Sequence, residues 1–306
     1  MTDAAITPSA SPDLHRITLP SIAGMLLLAV IWGLSIPVTK LGLQSMPPMT
    51  LTALRFGVAV PFLFLFAIGR HRIALRAVPK VAALGLLGIG VGQLSQTFGI
   101  AGTSASVGTI ISAMIPIFVV VFAALRLRQP VSGRQKLGLA GAFGGIALVA
   151  LDRDDAAAGL AGTTFSGASL VLLSALTIAF YYVWSVEQAN RHGTVTVAAW
   201  STLTGFLAIL PFAGWEIATQ PFTLDLTAVA AAVYLGLAVT AVGLFLWLWL
   251  LRTIPAHVAA SVQFLQPVFG IGVSAALFGD RMGGLFMAGV ALVLAGVALS
   301  VVTRRR

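Results

Sequence analysis

Long apolar runs fill this chain, so the residues that could do chemistry are the polar ones set inside them. Arg55 is the sharpest. It stands about six residues inside the apolar run Met49–Ile68, hence roughly 9 Å deep at about 1.5 Å of helix rise per residue. No acidic residue occurs at comparable depth. A guanidinium there either snorkels to a surface or caps backbone carbonyls, or it anchors an anion such as a substrate carboxylate. Gln93 and Gln96 stand three apart on one helical face, as do Gln263 and Gln266. Each pair offers donors and acceptors, fit to bind a polar head group or to tie helices together. Tyr181 and Tyr182 lie too deep for an interfacial belt and, with Trp32 of the first span, could stack on a flat apolar solute. Lys40, Trp247 and Trp249 lie near run ends, where they serve as snorkelling or belt residues.

Catalytic chemistry finds no purchase. Cysteine is absent, the four histidines are isolated, and no His-Glu-x-x-His spacing occurs. Asp280 stands alone at a run end, and Ser104 and Ser106 have no base nearby, since His257 belongs at the opposite membrane face. Every Asp falls in a tail or a loop, and Glu187 lies at the inner end of its run, so no proton-carrying carboxylate is expected deep in the membrane. The reading holds no catalytic residue, no metal site, no cofactor and no enzyme activity.

The elements that must position these residues follow from composition. The chain is 58% hydrophobic and 9% charged, against roughly 25% charged in a soluble domain. The net charge of +9 comes from short basic loops between apolar runs rather than from a nucleic-acid-binding face. The runs are Ser21–Thr39, Met49–Ile68, Lys80–Ala101, Thr103–Leu125, Gly133–Leu151, Phe165–Val186, Val195–Ile217, Leu226–Leu251, Ala256–Phe278 and Gly283–Val302. Each approaches the roughly 20 residues that cross a bilayer as a helix. Residues 1–19 form a polar, Ser- and Pro-rich cytoplasmic tail expected to be disordered, and 303–306 a basic one.

The stretch Leu84–Leu148 recurs about 151 positions later as Leu235–Leu299. The matched pairs include Gly85/Gly236, Gly92/Gly243, Pro116/Pro267, Gly138/Gly289 and Gly145/Gly296. Glycines and a mid-span proline in register without a gap indicate a duplication: repeats at 20–151 and 165–302, joined by an outer linker at 152–164. Gly88/Gly92 and Gly141/Gly145 have the spacing that lets helices approach closely. Pro116 and Pro267 are expected to bend their spans, as static kinks or as paired hinges.

With the N-terminus cytoplasmic, the inner segments hold fourteen of the 18 Lys and Arg residues, from Arg16 through Arg304, Arg305 and Arg306. Asp152, Asp154, Asp155, Glu216, Asp225 and Asp280 fall outside. Both termini are therefore placed in the cytoplasm. Five spans per copy is an odd number, so the second copy must run upside down. Such inverted repeats place a substrate site near the midplane between the halves.

Ten spans in two halves, Trp32-Gly33 in the first span, the paired Pro116 and Pro267, and Leu277-Phe278-Gly279-Asp280-Arg281 before the last span resemble the drug/metabolite transporter superfamily, EamA type. Where that pattern carries an acidic turn, the first copy has Gln129. Within the superfamily the chain is most similar to bacterial aromatic amino acid exporters. The resemblance implies an all-α integral membrane protein of ten transmembrane helices and an inner-membrane exporter of small organic solutes. Its partners would be a small-molecule substrate and membrane lipids, with no nucleic acid, and the protein would be monomeric. A drug or sugar-phosphate carrier and a passive channel stay open as alternatives.

Overall fold

The computed structural model describes residues 18–67, 73–127, 132–151, 163–254, 262–280 and 282–301. The two tails, most of the linker and the start of the ninth run, His257 included, lie outside these residues. Among the described residues the structure is helical, with no strand. Its helices are α1 (Leu19–Gly33), α2 (Ser35–Gly42), α3 (Pro48–Ala67), α4 (Val78–Leu84), α5 (Gly92–Ala101), α6 (Ala105–Ser112), α7 (Ile115–Leu127) and α8 (Gly133–Leu151). They continue as α9 (Phe165–His192), α10 (Thr194–Thr219), α11 (Leu226–Val233), α12 (Gly243–Thr253), α13 (Val262–Phe278) and α14 (Gly284–Val301). Among the described residues seven helical stretches are long and apolar enough to cross a membrane: 19–42, 48–67, 75–101, 105–126, 165–192, 194–219 and 226–250.

Several helices begin where a short polar side chain takes an orphan N–H of the first turn. Thr18 accepts from Ser21 N, Ser104 from Val107 N at 3.2 Å, Thr164 from Gly167 N at 3.0 Å, and Asp225 from Ala228 N at 2.7 Å. Gly193, at φ 83°, turns the chain from α9 straight into α10, a backbone shape that glycine adopts without a Cβ clash.

Two continuations were not legible in the sequence. Between α4 and α5 the span widens into a π-helix at Gly85–Val91, and between α11 and α12 into another at Tyr234–Val242. Both end at the repeat-matched glycines Gly92 and Gly243. The proline-bearing spans also differ from each other. The fourth run is interrupted at Ala113–Met114, so Pro116 lies in the first turn of α7, where its missing N–H costs nothing. Pro267 sits inside the continuous helix α13.

Helix contacts sort most spans into two clusters. One holds α1, α2, α3, α11, α12 and α13; the other holds α4, α5, α6, α7, α9 and α10; α3 packed on α10 and α6 packed on α13 join them. Lipid offers apolar helices no hydrophobic reason to associate, so small residues and close backbone approach carry the packing. Flanking the clusters, α8 and α14 meet through glycines. A methyl group on Gly145 would lie 2.6 Å from the Gly289 carbonyl oxygen, and one on Gly289 would lie 2.6 Å from that of Gly145. One on Gly296 would lie 2.5 Å from the Gly138 carbonyl. Contacts run up α8 as they run down α14, so the two helices are antiparallel. The same holds for α3 and α10, through Thr50–Glu216 and Phe64–Trp200. It holds again for α6 and α13, through Ser106–Asp280 and Thr109–Gly270.

The polar ties between clusters crowd toward one end of the molecule. Lys40 Nζ donates to the carbonyls of Ile100, Ala101 and Thr103 at 2.9, 3.3 and 2.7 Å. It neutralises the C-terminus of α5 instead of snorkelling. Glu216, placed outside by the sequence reading, is 1% exposed and accepts from Thr50 N and Oγ1 at 2.7 and 2.8 Å. A carboxylate is thus buried against protein in the last turn of α10, held by the orphan donors of the α3 N-terminus. Asp280 is not alone either, since Ser106 N and Oγ donate to its Oδ2 at 3.0 and 2.6 Å. On the surface, Ser45 and the Ala228 amide hold the Asp225 carboxyl below the usual carboxylate range. At the other end the described ion pairs, Arg126–Glu187 at 3.1 Å and Arg191–Glu187 at 3.0 Å, stay within one cluster.

Candidate functional site

Each π-helix begins by pressing a glycine onto the second apolar span of the other copy. A methyl group on Gly85 would overlap the Ser201 carbonyl and Thr204; one on Gly236 would overlap the Arg55 carbonyl and Val58. Ser201 and Thr204 on α10 therefore correspond to Arg55 and Val58 on α3. No side chain fits at either glycine, so backbone meets backbone. That close approach fixes the depth of Arg55.

From that position the Arg55 side chain crosses the boundary between the clusters. Its Nη1 donates to Gln93 Oε1 at 2.9 Å, just beyond the first π-helix, and its Nε donates to Thr240 Oγ1 at 3.2 Å, inside the second. A guanidinium carries five N–H donors. Among the described residues two are used, leaving both on Nη2 and one on Nη1. The acceptors are neutral. Neither ion pair found among the described residues involves Arg55. With its oxygen turned to the arginine, Gln93 must direct its NH2 donors elsewhere.

Tyr182 on α9 lies within electrostatic reach of Arg55 and is 48% exposed. Its neighbour Tyr181 stacks against the first π-helix, where a methyl group on Gly88 would overlap its Cβ. The two tyrosine rings are 6.1 Å apart. Trp32 is stapled to the second π-helix, its Nε1 donating to Val239 O at 3.1 Å, the residue next to Thr240. Tyr234 Oη donates back to Ile31 O at 2.9 Å. Trp247 faces Trp32 at 5.9 Å between centroids and so extends this aromatic wall, where the sequence suggested a belt anchor.

Arg55, Gln93, Tyr182 and Trp32 thus gather around the two π-helices. Gln96 is half-buried one turn beyond Gln93. Gln266 belongs to a separate contact, its carbonyl 2.8 Å from where a methyl group on Gly33 would stand. The Gln263 side chain lies outside the described residues. Sequence reasoning missed Thr240. The signal was present: in a closely matched repeat, Thr240 aligns with Ile89.

The EamA-like transporter family matches this chain twice, over residues 19–151 and 165–302. A protein named probable amino-acid metabolite efflux pump from Salmonella typhimurium is 30% identical, with 90% of this chain and 93% of that protein covered. A probable terminal-alkyne amino-acid exporter from Streptantibioticus cattleyicolor is 28% identical, with 91% of this chain and 92% of that protein covered. A crystal structure with a TM-score of 0.62 covers 92% of this chain and 96% of its own at 16% identity, a likeness of fold. Matched along both copies, the chain belongs to the EamA-like transporter family, a multi-pass membrane transporter rather than an enzyme.

Proposed function

We propose that the protein is a bacterial inner-membrane exporter of amino acids, aromatic ones preferred, working by alternating access. In this reading ten spans form two inverted five-helix repeats, with both termini cytoplasmic. The reciprocal glycine contacts between antiparallel α8 and α14 support it, because matched helices of parallel repeats would run the same way. The intercluster ties at Lys40, Glu216 and Asp280 lie at the outer end in this orientation, so the state described is closed outside.

The observation that carries the proposal is Arg55. A cation in a span is costly unless it has a use there, and this one has neutral partners, spare donors and a place between the clusters. Three N–H groups on the terminal nitrogens suit a carboxylate, which binds a guanidinium in a bidentate fork. Gln93 adds donors beside it. Tyr182 and Trp32 supply ring surface for a flat side chain, and the relatives named for amino-acid efflux support the same substrate class. Rocking one cluster against the other would expose the site first to one side and then to the other.

Counterflow in proteoliposomes tests this. Labelled L-phenylalanine should exchange across the purified protein, whereas phosphorylated sugars and cationic dyes should not. Arg55→Gln should raise half-saturation for L-phenylalanine at least tenfold, roughly one charged hydrogen bond's worth, and leave its amide little changed. Equal loss on acid and amide would assign Arg55 a structural role instead.

A further inference from the structure

We propose that Thr240 is a positioning residue that determines acid selectivity, holding the Arg55 guanidinium in the orientation that receives a carboxylate. This deepens the preceding reading and rests on it. Arginine is long and flexible, and a single hydrogen bond would leave its plane free to swing. Here the plane is fixed at two nitrogens. Gln93 takes Nη1 from the first copy's third span, and Thr240 takes Nε from the second copy's matching span.

The polarity of the Thr240 contact is forced. A threonine hydroxyl has one proton, and this one is committed to Leu235 O at 2.8 Å. Its oxygen is then free only to accept, which is what an arginine Nε–H requires. The Leu235 bond spans five residues, the step of a π turn rather than the four-residue back-bond of an α-helix. The π-helix is therefore part of the device: it presents Thr240 to α3. In the first copy the aligned residue, Ile89, faces Gly205 of α10 instead, 2.8 Å from where a methyl group on that glycine would stand. The hydroxyl belongs to one copy only, the copy that faces the arginine.

The test uses full-length protein in proteoliposomes, with L-phenylalanine and L-phenylalaninamide as probes. Thr240→Val keeps the shape and removes the hydroxyl; Thr240→Ser keeps the hydroxyl. Thr240→Val should raise half-saturation for the acid about tenfold, the effect of a bond to a charged group. The maximal rate and the amide's half-saturation should stay near wild type, and Thr240→Ser should restore the acid. Adding Thr240→Val to Arg55→Gln should change nothing further, because the threonine acts through the arginine. Wild-type behaviour of Thr240→Val overturns the proposal, and so does equal loss on acid and amide without rescue by serine. If the valine variant does not fold, Thr240→Ala is put through the same comparison and judged by the same outcomes. The two readings fail separately. Arg55→Gln acting equally on acid and amide removes the carboxylate site itself, whereas an acid-selective Arg55→Gln with a silent Thr240→Val removes only the role of Thr240.

Discussion

The two π-helices share a frame and differ in chemistry. In each, a leading glycine rests on the carbonyl of the second span of the other copy, at Ser201 in one case and at Arg55 in the other. In each, a glycine closes the π segment, Gly92 or Gly243, and packs against a residue of the span that opens the other copy, Thr177 or Trp32. Yet where one of these interfaces sets Thr240 against Arg55, the other has Ile89 and Ser201. Packing in lipid depends on small residues in register, so it preserves the symmetry. A bound solute has no twofold axis, so the groups that would hold it need occur only once.

The largest effect should come from testing the shared frame. Gly85→Ala and Gly236→Ala each drive a methyl group into a backbone carbonyl that cannot rotate away. Both should lose about 1–3 kcal/mol of stability, read as matching drops in melting temperature in detergent. A loss at one glycine only would break the symmetry of the frame.

The prolines should split, though the sequence pairs them. Pro267→Ala restores a missing hydrogen bond inside α13 and should lower turnover about fivefold with half-saturation unchanged, as when a conformational step limits the cycle. Pro116→Ala changes only the first turn of α7, beyond an existing break, and should transport near the wild-type rate. Equal slowing in both variants would return them to the role of symmetric hinges.

Ile89→Thr sharpens the chemical half of the comparison. It gives the first copy the hydroxyl of the second at a position facing Gly205, where no arginine waits. Stability should fall by about 1 kcal/mol and half-saturation for L-phenylalanine should not move. A gain in affinity would show that the hydroxyl acts without Arg55.

The smallest effect concerns Asp225, which caps α11 and accepts from Ser45 at 2.6 Å. Its carboxyl is held below the ordinary value in the folded protein. The stabilisation is therefore present above the unfolded value, about 3.9, and is lost as pH falls through the folded one. Asp225→Asn should melt slightly earlier than wild type at neutral pH. That gap should close below about pH 4.

The sequence by itself determined the solvent and the approximate extent of most described helices, and it displayed the in-register glycines on which the duplication reading rests. Those properties depend on apolar run length and on glycine spacing, both local. It also marked Arg55, because a lone cation in an apolar run is conspicuous in one dimension. Tertiary structure alone decided the rest. A π turn depends on what the neighbouring backbone leaves room for, so nothing in Gly85–Val91 or Tyr234–Val242 announced it. Glu216 reads as an end-of-span residue until α3 brings its free N–H groups to it, 166 positions away in the chain. Thr240 is an ordinary threonine in an apolar helix until α3 places the Arg55 Nε beside it, 185 positions away. Hydrogen bonds between distant spans leave no periodic trace in a sequence, because each partner is chosen by the fold that brings the two together.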